Sequence, residues 1–305
     1  MLITHFGLEQ KITQNIALTI GNFDGIHRGH QLILQRLSDE AKTRGLIRAL
    51  MIFEPQPTEY FASLYQKEKP YRLTSLREKL TLLDKTQCLD MVWVLRFNSR
   101  FADLSADDFI QKVLIDALRT KYLLIGDDFH FGKNRLGDVS LLMAENTFVT
   151  EQVSSVLAVG KRASSTAVRQ HLVNGDIQAA EQILGHFYTI SGRVKHGKKL
   201  ARTLGMPTAN IHLPMHRYPL NGVFVVDVEG AFGVRRGVAN FGVNPTVSHD
   251  HKQKLEVHLF QFQGNLYGQR LRVHFRHKIR DEMQFDSLND LRTQILQDME
   301  VAKLW

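Results

Sequence analysis

Near Gly185 the hydrophobic rhythm of the chain changes, and that change limits the fold more than any other feature of the sequence. Before it, short apolar runs (Ile16–Ile20, then 46–53, 91–95 and 122–125) alternate with segments of helical spacing. The segment 30–44 places Ile33, Leu37 and Ala41 on one helical face, and Ser75-Leu-Arg-Glu78 has capping-box form ahead of Leu76, Leu80 and Leu83. Ser105-Ala-Asp-Asp108 opens another helix. Apolar strands of this length between helices predict a parallel sheet covered on both faces. Such sheets bind ligands beyond the carboxyl ends of their strands, where Gly21 and Gly126 fall. From Tyr188 on, the pattern is period-two alternation broken by glycines: ISGRV, GVFVVDV, RRGVANFGV, LEVHLFQF and QRLRVHF. Short strands at this spacing predict a small antiparallel barrel. A last helix starts at Ser287 with Leu288, Leu291, Ile295 and Met299 on one stripe. Two domains follow, 1–185 and 186–305.

No apolar run at the start of the chain reads as a signal peptide, and none reaches the ~18 residues of a membrane span. A lone cysteine, Cys88, cannot form an internal disulfide and fits a reducing compartment, so a cytoplasmic protein without membrane attachment is expected. The net charge of +8 is uneven: residues 1–185 carry 22 basic and 21 acidic side chains, whereas 186–305 carry 17 and 10. A basic half suits nucleic acid, phosphorylated metabolites or a membrane surface, and charge alone does not choose among them.

The segment Gly21-Asn-Phe-Asp-Gly25-Ile-His27-Arg-Gly29-His30 follows a strand and opens a helix. Its glycines let the backbone turn tightly, and the helix start offers free N–H groups to phosphate. His27 and His30, three apart, lie on nearly one helical face and can donate to phosphate oxygens; two histidines without a third ligand make a poor zinc site. In the second half, Gly192 to Lys198 matches seven positions of a phosphate-binding P-loop, but Lys199 stands where a hydroxyl must reach Mg²⁺ and no helix pattern follows. A P-loop is therefore rejected. Lys254-Leu-Glu256-Val-His258 alternates strictly, with Glu256 and His258 on one face.

The run GNFDGIHRGH resembles the signature of HxGH nucleotidyltransferases, in the wording of the bacterial bifunctional riboflavin kinase/FAD synthetase family. Gly126-Asp-Asp-Phe-His-Phe-Gly132 with Arg135-Leu-Gly-Asp138, and Ser164-Ser-Thr-Ala-Val-Arg169, resemble that family's next two motifs, and GRVKHGKKLARTLGMPTANI (192–211) resembles the flavokinase ATP signature. The resemblance covers about residues 15–300. It implies a Rossmann-like α/β nucleotidyltransferase domain followed by a β-barrel flavokinase domain with a C-terminal helix. It also implies FMN made from riboflavin and FAD from FMN, ATP as co-substrate of both steps, and Mg²⁺. On this reading Gly21, Asn22, His27 and His30 hold ATP phosphates, Ser164, Ser165, Thr166 and Arg169 grip them from the far side, and Asp128 lies where flavin and nucleotide meet. Gly192 and Lys198 contact nucleotide, and Thr208 and Asn210 present hard oxygen ligands to Mg²⁺. Glu256 is implied as the base that takes a proton from the riboflavin hydroxyl. Arg280, Glu282 and Phe285 lie by the flavin.

The chain departs from the pattern at His130, where arginine is usual, at Gln56 in place of a histidine, and at Ala201, Met206 and Asn244. His130 is the one support for a second reading, a riboflavin kinase whose first domain binds nucleotide without adenylyl transfer. A nucleic-acid-binding barrel would need clustered aromatic and basic residues, which 186–305 lacks. A flavin sensor without turnover would not need Glu256.

Overall fold

The run Ile16–Ile20 forms β2, and all five residues are buried. That is what an uninterrupted apolar strand demands: neighbours on both edges and cover on both faces. In the computed structural model, which describes residues 1–6, 12–154, 157–158, 161–197, 206–215, 217–243 and 253–305, β2 lies inside a six-stranded sheet. Its partners are β3 (Ile47–Glu54) and β5 (Thr120–Gly126), with β4 (Met91–Arg96), β1 (Leu2–Phe6) and β6 (Val149–Val153) outside them. The order is β1-β4-β3-β2-β5-β6, and every pairing is parallel. Helix α1 (Arg28–Arg44) covers one face through Leu34, Leu37 and Ala41. Leu34 takes the buried place assigned above to Ile33, which is half-buried. The other face packs Leu18, Met51, Trp93 and Ile125 against Val113 and Leu114 of a π-helical turn, Phe109–Ala117.

Cα packing divides the chain into two units, Met1–Pro70 with Lys79–Ala163, and Tyr71–Glu78 with Ser164–Trp305. Among the described residues the remaining α-helices are α2 (Pro57–Leu64), α3 (Leu76–Thr86), α4 (Ser99–Ala102), α5 (Ala106–Asp108), α6 (Val139–Ala144), α7 (Ser165–Val173), α8 (Ile177–Leu184) and α9 (Leu288–Leu304). A short antiparallel pair, β7 (Leu157–Ala158) and β8 (Lys161–Arg162), belongs to the first unit.

The second unit is a closed barrel in the order β10-β13-β12-β11-β14-β9. Its strands are β9 (Thr189–Lys195), β10 (Ala209–Ile211), β11 (Gly222–Gly230), β12 (Gly233–Val243), β13 (Gln253–Leu259) and β14 (Arg270–Arg280), and all paired neighbours are antiparallel. Five of the six are the alternating segments of the sequence. The sixth, β10, has three residues and is too short to show a period of two. Phe224, Phe241 and Phe275, all fully buried, pack near edge to face.

Two helices bury polar groups where an apolar stripe was expected. In α3, Leu76 and Leu80 are half-buried, while Glu78 and Lys79 are buried along with Leu83. The Ser75/Glu78 capping box forms, with Ser75 N–H donating to Glu78 at 2.8 Å, and the other Glu78 oxygen accepts the Ser191 N–H at 2.6 Å. The segment from Tyr71 is thereby tied to β9 within the second unit. In α9, Leu288 is exposed and Leu291, Ile295 and Met299 are half-buried; Asp298 and Ala302 are the buried positions. Arg280 at the end of β14 explains this. Its Nε and Nη2 donate to the two Asp298 oxygens at 2.9 and 2.8 Å, and Gln294 adds a third bond to the same carboxylate at 3.1 Å. A two-pronged guanidinium–carboxylate pair at a buried site orients both elements.

Removing one partner of such a pair leaves a mostly buried charge uncompensated. Asp298→Ala is expected to destabilise the second unit by about 3 kcal/mol, and Asp298→Asn by less. Urea unfolding of the full chain followed by tryptophan fluorescence measures this; a change under about 0.5 kcal/mol would place the pair with weak surface ion pairs.

Candidate active sites

In the first unit the chain leaves β2 at Ile20 and reaches α1 within seven residues, and the turn that achieves this is strained. Gly25 takes a left-handed φ of 83°, as its position in the glycine run suggested, but Phe23 (45°) and Ile26 (44°) also do so. Positive φ costs a bulky residue about 1 kcal/mol or more, and both side chains are sunk in the core, at 3% and 1% exposure, which holds them there. Gly29 is needed for close approach: a Cβ would sit 3.1 Å from the His27 ring and 3.4 Å from the Ala163 carbonyl.

His27 is the N-cap of α1, its Nδ1 accepting the His30 N–H at 3.4 Å. The two imidazoles stack at 3.6 Å, and Phe23 stacks on His30 at 4.5 Å. His27 is itself buried, so both rings are held inside the turn. Burial first, then the charges of His27 and Lys79, hold the His30 imidazole well below its ordinary pKa. His30 therefore offers a hydrogen-bond donor rather than a cation.

Among the described residues, Asn22 Oδ1, His30 Nδ1 and Gln56 Nε2 are buried without a hydrogen-bond partner. Each such atom costs about 1–3 kcal/mol unless something binds it. They follow β2 and β3, adjacent strands, at their carboxyl ends. Beyond β5, on the other side of β2, stand Gly126 and Asp128, the latter exposed. The Asp128 carbonyl lies 3.1 Å from His130 Nδ1, and Arg135 Nη2 lies 3.4 Å from the same nitrogen. The loop that has histidine in place of arginine thus carries a guanidinium five residues on. Gln56 opens α2, its N–H donating to Glu59 at 2.9 Å.

Two features escaped the sequence reading. Lys79 is fully buried and donates to the Asn22 carbonyl. Phe61 of α2 and Tyr65 just past its end, stacked at 6.1 Å, are exposed. Only an apolar residue on the wrong face of α2 could have signalled the second, and nothing local signalled the first.

Ser164 caps α7 in the second unit, its hydroxyl accepting the Ala167 N–H at 3.1 Å. Ser165 and Arg169 are half-buried and Thr166 is exposed.

In the barrel, Leu255, Val257 and Leu259 point inward, so Glu256 and His258 share the other face of β13. The register places Asn210 of β10 directly opposite Glu256 on one side and Asn240 of β12 opposite it on the other. Ala209 is buried, which turns Thr208 and Asn210 together toward the Glu256 face. His258 Nδ1 lies 2.9 Å from the Pro207 carbonyl and braces the approach to Thr208. Gly197 is packed on Asn210: a Cβ there would come within 2.2 Å of the amide nitrogen. Burial raises the Glu256 carboxyl above its ordinary pKa, partly offset by Lys254.

The other kinase-half positions divide. Gly192 is buried in β9, where a Cβ would strike the His212 carbonyl at 2.2 Å. Lys198, with Ala201 and Asn244, lies outside the described residues. Arg280 is held by Asp298 and by the Asp281 carbonyl at 2.9 Å, with its guanidinium 5.8 Å from the Phe285 ring. The Glu282 carboxylate occupies the space that a side chain at Gly242 would need.

Residues 9–167 match the FAD synthetase family and residues 184–305 the riboflavin kinase family. A Haemophilus influenzae relative is 46% identical over 297 residues, spanning 96% of this chain and 95% of its own. An Escherichia coli K12 relative is 46% identical over 302 residues, 97% and 94% of the two chains. Both are named bifunctional riboflavin kinase/FMN adenylyltransferase. The chain belongs to this family. A solved Streptococcus pneumoniae structure, named a macrolide-efflux protein, matches over 100% of both chains with a TM-score of 0.85 and 28% identity. Among the described residues no helix is long and apolar enough to cross a membrane. The riboflavin kinase match contains the Asn210–Glu256–Asn240 row, and the FAD synthetase match contains the turn from Gly21 to His30.

In a member of this family, Gly197→Ala should push the whole Asn210 amide out of its row. FMN formation is expected to fall at least tenfold while FAD formation from added FMN stays within twofold, both read by chromatography with the purified chain.

Proposed function

We propose that residues 186–305 phosphorylate riboflavin to FMN and residues 1–185 adenylylate FMN to FAD, ATP being co-substrate of each step. What carries the reading is that each unit holds the groups its step requires: unsatisfied polar atoms with the neutral His30 imidazole in one, a half-buried carboxylate beside an amide in the other.

In the kinase step the primary hydroxyl of riboflavin attacks the γ-phosphorus of ATP, the β–γ bridging P–O bond breaks and ADP leaves. The hydroxyl proton goes to Glu256. A carboxylate whose pKa is raised by burial is a stronger base than an exposed one, which suits proton removal from an alcohol. Thr208 and Asn210 supply the hydroxyl and amide oxygens that would hold Mg²⁺, and bound Mg²⁺ would screen the phosphate charge. Among the described residues no group of three or more His, Cys, Asp and Glu could hold a metal, so phosphate oxygens and water would complete the shell. Gly192 and Lys198 are assigned to the nucleotide, and Arg280, Glu282 and Phe285 to the flavin side, with Arg280 acting through the segment it pins.

In the adenylyl step an FMN phosphate oxygen attacks the α-phosphorus of ATP, the α–β bridging bond breaks and pyrophosphate leaves. The nucleophile is already anionic, so no base is needed. Alignment and hydrogen bonding to the growing charge do the work. His27 and His30 donate to the phosphates, and Gly21 and Asn22 shape the turn that receives them. Asp128 orients the flavin partner. Ser164, Ser165, Thr166 and Arg169 are assigned to phosphate from the α7 start. With phosphorylated small molecules as ligands, the basic charge of the barrel half needs no nucleic acid, and a cytoplasmic setting supplies ATP.

Chromatography of riboflavin and MgATP incubated with the chain should show FMN, then FAD; FMN alone would reduce the first unit to nucleotide binding. Glu256→Ala is expected to abolish FMN formation and spare FAD formation from added FMN. His30→Ala is expected to do the reverse. The kinase kcat should rise with pH through one ionisation above that of an exposed glutamate, because the base must be ionised and burial raises its pKa; a profile flat from pH 5 to 8 would remove Glu256 from the proton transfer.

A further inference from the structure

Lys79 is a fully buried lysine in a helix whose spacing called for an apolar stripe. Lysine is almost never fully buried without a purpose for its charge, because desolvating an ammonium costs several kcal/mol unless partners repay it. One partner is the Asn22 carbonyl, the second residue of the turn between β2 and α1. That turn holds left-handed φ values at Phe23 and Ile26, which persist only under external constraint. Asn22 Oδ1 in the turn and His30 Nδ1 in the first turn of α1 are buried and unsatisfied. The lysine charge is also felt at His30, where it favours the neutral ring.

Resting on the adenylyl-transfer reading above, we propose that Lys79 is a positioning residue for that step, its buried ammonium fixing the Asn22 carbonyl and with it the turn that carries His27 and His30. The ammonium acts at a backbone carbonyl, so it sets where the amide of Asn22 and the two rings point. It need not touch ATP to do so. A displacement of about 1 Å in such a turn costs about 100-fold in rate.

The test uses the full chain with Lys79→Met, which keeps the stem and removes the ammonium, and Lys79→Arg, which keeps the charge but replaces a point donor by a planar fork. The kcat and KM for ATP and FMN in FAD formation are measured beside riboflavin phosphorylation and thermal unfolding. For Lys79→Met a kcat about 100-fold lower is expected, with both KM values within threefold and riboflavin phosphorylation within twofold. For Lys79→Arg, kcat about tenfold lower at unchanged unfolding temperature is expected, a loss that a purely structural lysine would not show. The arginine variant decides alone if the methionine variant does not fold. The proposal is overturned if kcat per folded molecule stays within threefold of wild type in whichever variant folds, or if activity merely follows the unfolding temperature. Wild-type chain that forms no FAD would overturn the adenylyl-transfer reading and this proposal with it; wild-type FAD formation alongside an unimpaired Lys79→Met overturns this proposal alone.

Discussion

Burial of β2 on both faces is the constraint from which the first unit's chemistry follows. A strand with no exposed side chain cannot carry a functional group along its length, so polar groups collect where it ends. They do so at Asn22, His27 and His30 beyond β2, at Gln56 beyond β3 and at Asp128 beyond β5. The two neighbours of β2 set the width of that edge. The left-handed turn at Phe23 and Ile26 is held because both side chains reach back into the core. Core packing and site geometry are one problem there, and a change in either disturbs both.

The barrel solves the same problem by alternation. A strand with period two gives one face to the core and leaves the other for chemistry, so β13 buries Leu255, Val257 and Leu259 and still presents Glu256. The two flanking strands then add an asparagine each in register. This row depends on hydrogen-bond pairing between strands, and a slip of one residue in β10 would replace Asn210 by a core side chain.

Elements with a strong period were legible in the sequence. IALTI and LEVHLF announce a strand buried on both faces and one buried on a single face, and the capping box at Ser75 forms as written. The signature GNFDGIHRGH located the turn before α1, but its glycines misled in part: the left-handed residues include Phe23 and Ile26, which no propensity would choose. The apolar stripes of α3 and α9 were misread because Glu78, Lys79 and Asp298 are buried by partners far away in sequence: Ser191, Asn22 and Arg280. A helical wheel cannot show a charge whose partner arrives from another element. β10 was missed because three residues carry no period, although Thr208 just before it and Asn210 at its centre had already been singled out as ligands.

Burial acts on the two reacting groups in the same sense, toward the neutral form, yet the chemical results are opposite and each suits its step. For a carboxyl the shift is upward, so Glu256 in its ionised form binds a proton more tightly and is the better base for an alcohol. For an imidazole it is downward, so His30 remains an uncharged donor. An uncharged donor gives directional hydrogen bonds to a phosphate whose charge is redistributed in the transition state, without the long-range attraction that would also hold the departing pyrophosphate. Low dielectric strengthens such bonds at short range. A site built on a neutral His30 therefore depends on where its donors point more than on how much charge it carries, which is why the turn before that ring is pinned by a buried lysine and from the core by two strained apolar residues.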